Sequence, residues 1–221
     1  MLVLERVVKT YPKGNRRITA LAPIDLTVRA GEFVAVEGPS GSGKTTCLLI
    51  AGGLLDPDSG RVLLDGHDLR AMTRNQLAAF RSQNIGFVFQ QYHLIPYLSV
   101  LENILAPEAA RGRTNGQARG RALAAQFGLE HRIDHTPAEL SSGEKQRTAL
   151  ARALLFQPKI LLADEITGNL DHVNAQIVLG YLREYVKTGG SALLVTHDRE
   201  IASQADRVEL LPDPREMETA R

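Results

Sequence analysis

The chain has 221 residues, 43% of them hydrophobic, enough for one domain with a helical insertion and a sizeable core. Its 26 basic and 25 acidic residues leave a formal charge of +1, which argues against a dedicated nucleic-acid or anionic-lipid binder. No run approaches the ~18 apolar residues of a membrane span, nothing at the start reads as a signal peptide, and the single cysteine excludes an internal disulfide or a multi-cysteine metal site.

In chain order, residues 2–28 read as extended segments with a turn at Tyr11-Pro12-Lys13-Gly14. Glu32 to Glu37 is a short, mostly apolar run of strand type, and Gly38-Pro39-Ser40-Gly41-Ser42-Gly43-Lys44-Thr45 follows at once. The run fits G-x-x-x-x-G-K-[ST], the P-loop, in which glycines let consecutive backbone N–H groups point at phosphate oxygens. Thr46 to Ala51 continues as a helix whose N-terminus favours anions. Lys44 is the candidate for the β- and γ-phosphates and Thr45 for Mg²⁺, with Thr46 beside it. Cys47, on that helix, reads as a small buried hydrophobe, or else as a thiol whose alkylation blocks nucleotide binding. Ser59 to Gly66 reads as a strand that joins residues 2–28 in an antiparallel layer over the nucleotide.

Residues 85–89 form another apolar strand ending at Gln90. Beyond it the pattern turns helical as far as about Phe156. Ser99 to Glu102 is a capping box, residues 111–116 read as an exposed linker, and Gly116 to Phe127 is an amphipathic candidate. Leu140-Ser141-Ser142-Gly143-Glu144 precedes a helix over residues 145–156, and taken alone it is a plausible N-cap. Lys159 to Asp164 reads as a buried strand ending in an acid, as does 191–196 ending in Thr196-His197-Asp198. An acid at a strand's carboxyl end in a parallel sheet faces the ligand crevice. Asp164 is therefore the candidate Mg²⁺ partner and Glu165 the candidate general base for an attacking water. Strands at 33–37, 85–89, 160–164 and 191–196 with helices between them argue for an α/β class built on a mainly parallel sheet.

With these motifs in this order the chain resembles the ATP-binding subunits of ABC transporters over essentially its whole length. The resemblance implies a P-loop NTPase (RecA-like) core with an antiparallel β layer, at 1–90 and 157–211. It implies an inserted α-helical subdomain at 91–156 and a tail at 212–221. Leu140 to Glu144 resembles the family signature Leu-Ser-Gly-Gly-Gln, with Ser142 and Glu144 as departures from it. In the family this loop faces the P-loop of a second subunit, so Ser141 and the Gly143 backbone would touch the γ-phosphate bound there. Gln90 resembles the glutamine that senses Mg²⁺ and water, and His197 resembles the switch histidine at the γ-phosphate. Tyr11 resembles the aromatic that stacks on adenine. Thr167-Gly168-Asn169-Leu170-Asp171 resembles the D-loop, where Ile166 replaces the usual proline and is expected to loosen it.

The implied cofactors are ATP and Mg²⁺, and the implied assembly is a homodimer closing around two ATP. An integral membrane permease would dock near Gln91 to Leu98, holding the subunit on the inner face of the membrane, and no nucleic acid is expected. The stretch Ala163 to Asp171 and the run Phe87 to Pro96 look most like the lipoprotein-release, macrolide-efflux and haem-efflux ATPases and the cell-division ATPase FtsE. A regulatory ATPase of the FtsE type is the alternative. A soluble DNA-repair or ribosome-associated relative is weakened by the lack of a long coiled coil, a zinc cluster or a second ATPase domain.

Overall fold

The computed structural model describes residues 1–14, 16–111 and 116–212. The linker read at 111–116 falls mostly outside these residues, as does nearly all of the tail.

Strands β1 (Leu2–Lys13) and β2 (Arg16–Val28) pair antiparallel from Leu2 opposite Val28 to Lys13 opposite Arg16. Pairing thus runs through Tyr11, Pro12 and Lys13, and the reversal comes later than the expected turn. Asp58 braces β1 just before that stretch. Its carboxylate takes hydrogen bonds from the Thr10 backbone N–H at 2.8 Å, the Thr10 hydroxyl at 2.7 Å and Lys9 Nζ at 3.0 Å. Those bonds hold its carboxyl well below the usual range. β4 (Ser59–Leu64) joins the other edge of β1, and β5 (His67–Asp68) completes a four-stranded sheet of order β2-β1-β4-β5.

The second sheet is parallel, of order β6-β7-β8-β3-β9, built from β3 (Phe33–Glu37), β6 (Ile85–Phe89), β7 (Ile160–Asp164), β8 (Ser191–Thr196) and β9 (Arg207–Leu210). Side chains alternate between its faces, and each face meets its own core. Val34, Val36, Leu162, Leu193 and Val195 pack with Cys47, Leu48 and the antiparallel sheet. Phe33, Leu161, Ala163, Ala192 and Leu194 pack with the helical side. Burial on both faces is why these strands read as unbroken apolar runs.

Helix α1 (Lys44–Ala51) follows β3, and α2 (Arg74–Asn84) leads into β6. Between β6 and β7 the described residues hold helices and no strand. These are α3 (Val100–Leu105), α4 (Pro107–Arg111), α5 (Gln117–Gln126) and α6 (Ser142–Leu154). α6 starts three residues before the expected position because Ser141 caps it. α7 (His172–Lys187) precedes β8 and α8 (Arg199–Ala202) follows it. The pairings Glu37 with Thr196, Asp164 with Val195 and Phe89 with Asp164 bring four strand carboxyl ends to one edge. That edge carries the candidate site.

Candidate functional site

The loop from Gly38 to Thr45 wraps the N-terminus of α1. Gly41 and Gly43 have φ of 85° and 95°, conformations that L side chains rarely adopt. Space agrees with conformation at Gly43, where a Cβ would lie 2.2 Å from the Ala20 carbonyl oxygen. Lys44 is buried and its Nζ donates to the Gly38 carbonyl at 2.7 Å and the Pro39 carbonyl at 3.0 Å. An ammonium has three donors, so one remains for a ligand. Ser42 Oγ is buried inside the loop without a hydrogen-bond partner. A buried hydroxyl left unpaired, a buried lysine and the positive end of α1 together fit an anion with several acceptor oxygens.

A groove of about 670 Å³ opens beside this loop, lined by Ser40, Gly41, Gly43, Lys44, Thr45 and Thr46, by Glu165 and His197, and by Ile18, Thr19 and Ala20 of β2. Asp164 reaches the groove through Thr45, whose Oγ1 donates to Asp164 Oδ1 at 3.2 Å. Burial pushes the Asp164 carboxyl up and the Thr45 hydrogen bond pulls it down. Nearby Glu165 pushes it up and Lys44 pulls it down, and the net direction is upward. Two hard oxygen donors side by side suit Mg²⁺, which keeps waters and substrate oxygens in its remaining positions. No trio of His, Cys, Asp or Glu groups as a metal cage among the described residues.

Glu165 follows β7 with φ of 46°, a left-handed conformation fixed by hydrogen bonds at both backbone groups. Its N–H donates to the Val195 carbonyl at 2.9 Å and its carbonyl accepts from Gly168 at 3.0 Å. Its Oε1 lies 3.0 Å from His197 Nδ1. A carboxylate oriented by an imidazole at the groove wall can accept a proton from a water and hold that water in place.

Other expected site residues lie apart from the groove lining. Tyr11 is 44% exposed on the β hairpin, opposite Ile18 and beneath the Lys9 ammonium. Gln90 lies by the turn after Glu165, where Asn169 Nδ2 donates to its carbonyl at 3.2 Å. Ile166, at the place of the usual proline, is buried in the helical-side core. Asp171 caps α7.

Ser141 to Glu144 forms a capping box at α6. Ser141 Oγ accepts from the Glu144 N–H at 3.2 Å, and Glu144 Oε2 accepts from the Ser141 N–H at 2.8 Å. Glu144 Oε1 also accepts from Arg132 Nε at 3.0 Å. Both oxygens of the Glu144 carboxylate thus have hydrogen-bond partners within the chain. Ser142 is half-buried in the first turn.

Two further stretches of the sequence reading can be placed. Cys47 is fully buried, in line with its reading as a small hydrophobe, and burial pushes its thiol up to about 12. In the loop at 91–98, Tyr92 and Leu94 pack on the core while Tyr97 is 79% exposed. Asn103 and Arg152 clamp that loop. Asn103 bonds the backbone of Ile95, Leu98 and Ser99, and Arg152 donates to the Tyr92 and His93 carbonyls.

The model of a known family, the ABC transporter family, matches residues 21–168, from Leu21 in β2 through Gly168. The chain belongs to the ABC transporter family. The lipoprotein-releasing system ATP-binding protein LolD of Idiomarina loihiensis is 42% identical over 96% of this chain and 94% of its own length. LolD of Psychrobacter arcticus is 46% identical over 92% of each. The macrolide export ATP-binding/permease protein MacB of Chlorobium luteolum is 44% identical over 96% of this chain, which spans 32% of that longer protein. Among solved structures, an ATP-binding cassette in a dimeric post-hydrolysis state bound to ADP and Pi is 38% identical, with a TM-score of 0.89 over 97% of this chain and 95% of that one. The ABC transporter fold of this chain is thus seen at both levels of comparison. Ile18, Thr19 and Ala20 line the groove without a signature in the sequence, because only the packing of β2 beside the loop brings them there.

Proposed function

We propose that this chain is the ATP-hydrolysing subunit of a transporter and works as a homodimer around two ATP. It would drive a membrane permease with few spans and a large outer domain, of the lipoprotein-release or macrolide-export kind. The observation that carries the reading is the convergence of Lys44, Thr45, Asp164, Glu165 and His197 on one groove.

In this reading the loop N–H groups of residues 38–45 and Lys44 hold the β- and γ-phosphates, and Tyr11 on the hairpin meets the adenine. Thr45 and Asp164 hold Mg²⁺ with Gln90 nearby, and the ion neutralises phosphate charge when bound. Glu165 takes the proton of the attacking water, and His197 keeps that carboxylate aimed. Ser141 and the Gly143 backbone complete the site of the partner copy, with Asp171 close to the same interface. The helical part, 91–156, would meet the permease through the loop at 91–98, where Tyr97 is the exposed aromatic. No described helix is long and apolar enough to cross a membrane, so attachment to the inner face of the membrane would come through that partner.

The test is Glu165→Gln, which keeps shape and hydrogen bonding to His197 but cannot accept the proton. Steady-state turnover is expected to fall by about 10²–10⁴, with the affinity for a fluorescent ATP analogue retained and a closed dimer accumulating in ATP. Near-normal turnover removes Glu165 as the base.

A further inference from the structure

Asn174 stands in the first turn of α7, three residues after the cap Asp171. One side of it is tied to that cap. Its backbone N–H donates to Asp171 Oδ1 at 2.8 Å and its Nδ2 donates to Asp171 Oδ2 at 2.7 Å. The other side faces α6. Asn174 Oδ1 accepts from Arg147 Nη1 at 3.2 Å, and Arg147 Nε is buried without a partner.

The same amide oxygen covers Gly143. A Cβ placed on Gly143 would lie 2.3 Å from Asn174 Oδ1 and 2.7 Å from its Cγ. Real Cβ contacts are essentially never that short, and moving the amide aside would break its bonds to Asp171 and Arg147. Gly143 is a helical residue outside the positive-φ region, so its backbone conformation does not call for glycine. The space does. A neighbour in its own chain is enough to exclude a side chain there, before any nucleotide of a second copy is considered.

We propose that Asn174 is a positioning residue that locks the Ser141–Glu144 turn to the Asp171 turn, so that both present themselves to the partner's nucleotide as one rigid piece. The inference rests on the homodimer reading above. Without Asn174 the two turns keep their separate caps, since Ser141 and Glu144 hold one and Asp171 the other. What is lost is their mutual position, and a misplacement of this kind acts on turnover rather than on nucleotide capture by Lys44.

The experiment is ATP turnover by the purified full chain as wild type, Asn174→Ala, Gly143→Ala and the double variant, with affinity for a fluorescent ATP analogue measured in parallel. Asn174→Ala is expected to lower kcat about tenfold with analogue affinity within about twofold of wild type. Gly143→Ala is expected to fall to near background. Removing Asn174 in that background frees the space and is expected to raise kcat about fivefold or more over Gly143→Ala alone. Should Asn174→Ala fold poorly, Asn174→Asp keeps the volume and the acceptor for Arg147 while setting a second carboxylate against Asp171, and the same fall in kcat is expected. Wild-type kcat in a folded Asn174 variant overturns the proposal, as does a double variant no faster than Gly143→Ala. A wild-type chain that does not turn over ATP overturns the function reading itself, which separates the two failures.

Discussion

At the scale of single residues, the groove is built from side chains that are poorly placed for stability. Asp164 is the clearest case. Its burial and the neighbouring Glu165 disfavour the charged form, and the Thr45 hydrogen bond and Lys44 compensate only in part. Its folded pKa is raised above the unfolded value, so the native state binds the proton more tightly. Ionised Asp164 therefore weighs against folding at neutral pH, and that penalty fades as pH falls through the folded pKa. Asp164→Asn is expected to stabilise the ligand-free chain by about 1 kcal/mol at pH 7, or about 2–4 °C in Tm, with the gap closing towards acid pH. On the proposal that Asp164 holds Mg²⁺, turnover in the same variant should be lost. Scanning calorimetry at pH 7 and pH 4.5 checks the sign, and a lower Tm at pH 7 would mean that the Thr45 and Lys44 contacts outweigh burial.

At the scale of elements, α6 depends on a charge. Glu144 is pushed up by burial, yet the Ser141 backbone and hydroxyl and the Arg132 guanidinium together hold its carboxyl below the usual 4.5. A depressed folded pKa gives stability that is present above the unfolded value and lost as pH falls through the folded one. Glu144→Gln keeps the reach to the Ser141 N–H but gives up the charge facing Arg132. It is expected to cost about 1 kcal/mol at pH 7 and close to nothing under acid conditions where Glu144 itself is protonated. Urea melts from pH 7 down through the acid range read this out, and a cost that never shrinks as pH falls would assign the effect to shape alone. The same scale shows what the sequence made legible. β3, β6, β7 and β8 were readable to the residue because burial on both faces leaves continuous apolar runs between polar ends. α2 escaped because its surface is mostly exposed and gives no apolar stripe, although Thr73 and Gln76 form a capping box that was there to be read. β9 escaped as a four-residue edge strand in which half-buried and exposed residues alternate. In the site, Lys44 and Thr45 announced themselves through the P-loop pattern, and Asp164, Glu165 and His197 through strand-end position. Asn174 did not, because its contact with Gly143 joins residues far apart in sequence and follows only from the packing of α6 against α7.

At the scale of the whole molecule, the phosphate loop and the Ser141–Glu144 turn are separate features of one chain, and the groove lining does not include the turn. A site that needs both must draw them from two copies, and two-fold symmetry then makes two equivalent composite sites per dimer. This arrangement predicts complementation between two inactive chains. Lys44→Ala lacks the phosphate loop's ammonium, and Ser141→Arg fills the opposing surface with a bulky cation. Each variant alone is expected to show turnover near background, because both of its composite sites are damaged. In a mixed dimer one site receives both lesions, whereas the other pairs the intact loop of the Ser141→Arg chain with the intact turn of the Lys44→Ala chain. Equal mixing at concentrations that favour dimers puts half of the dimers in the mixed form with one of two sites whole, so recovery of about a quarter of wild-type turnover is expected. The recovered activity should fall on dilution as the mixed dimer separates. No recovery at any ratio, with both variants folded and still able to associate, would place the loop and the turn in the service of the same chain's nucleotide or make one site inert without the other.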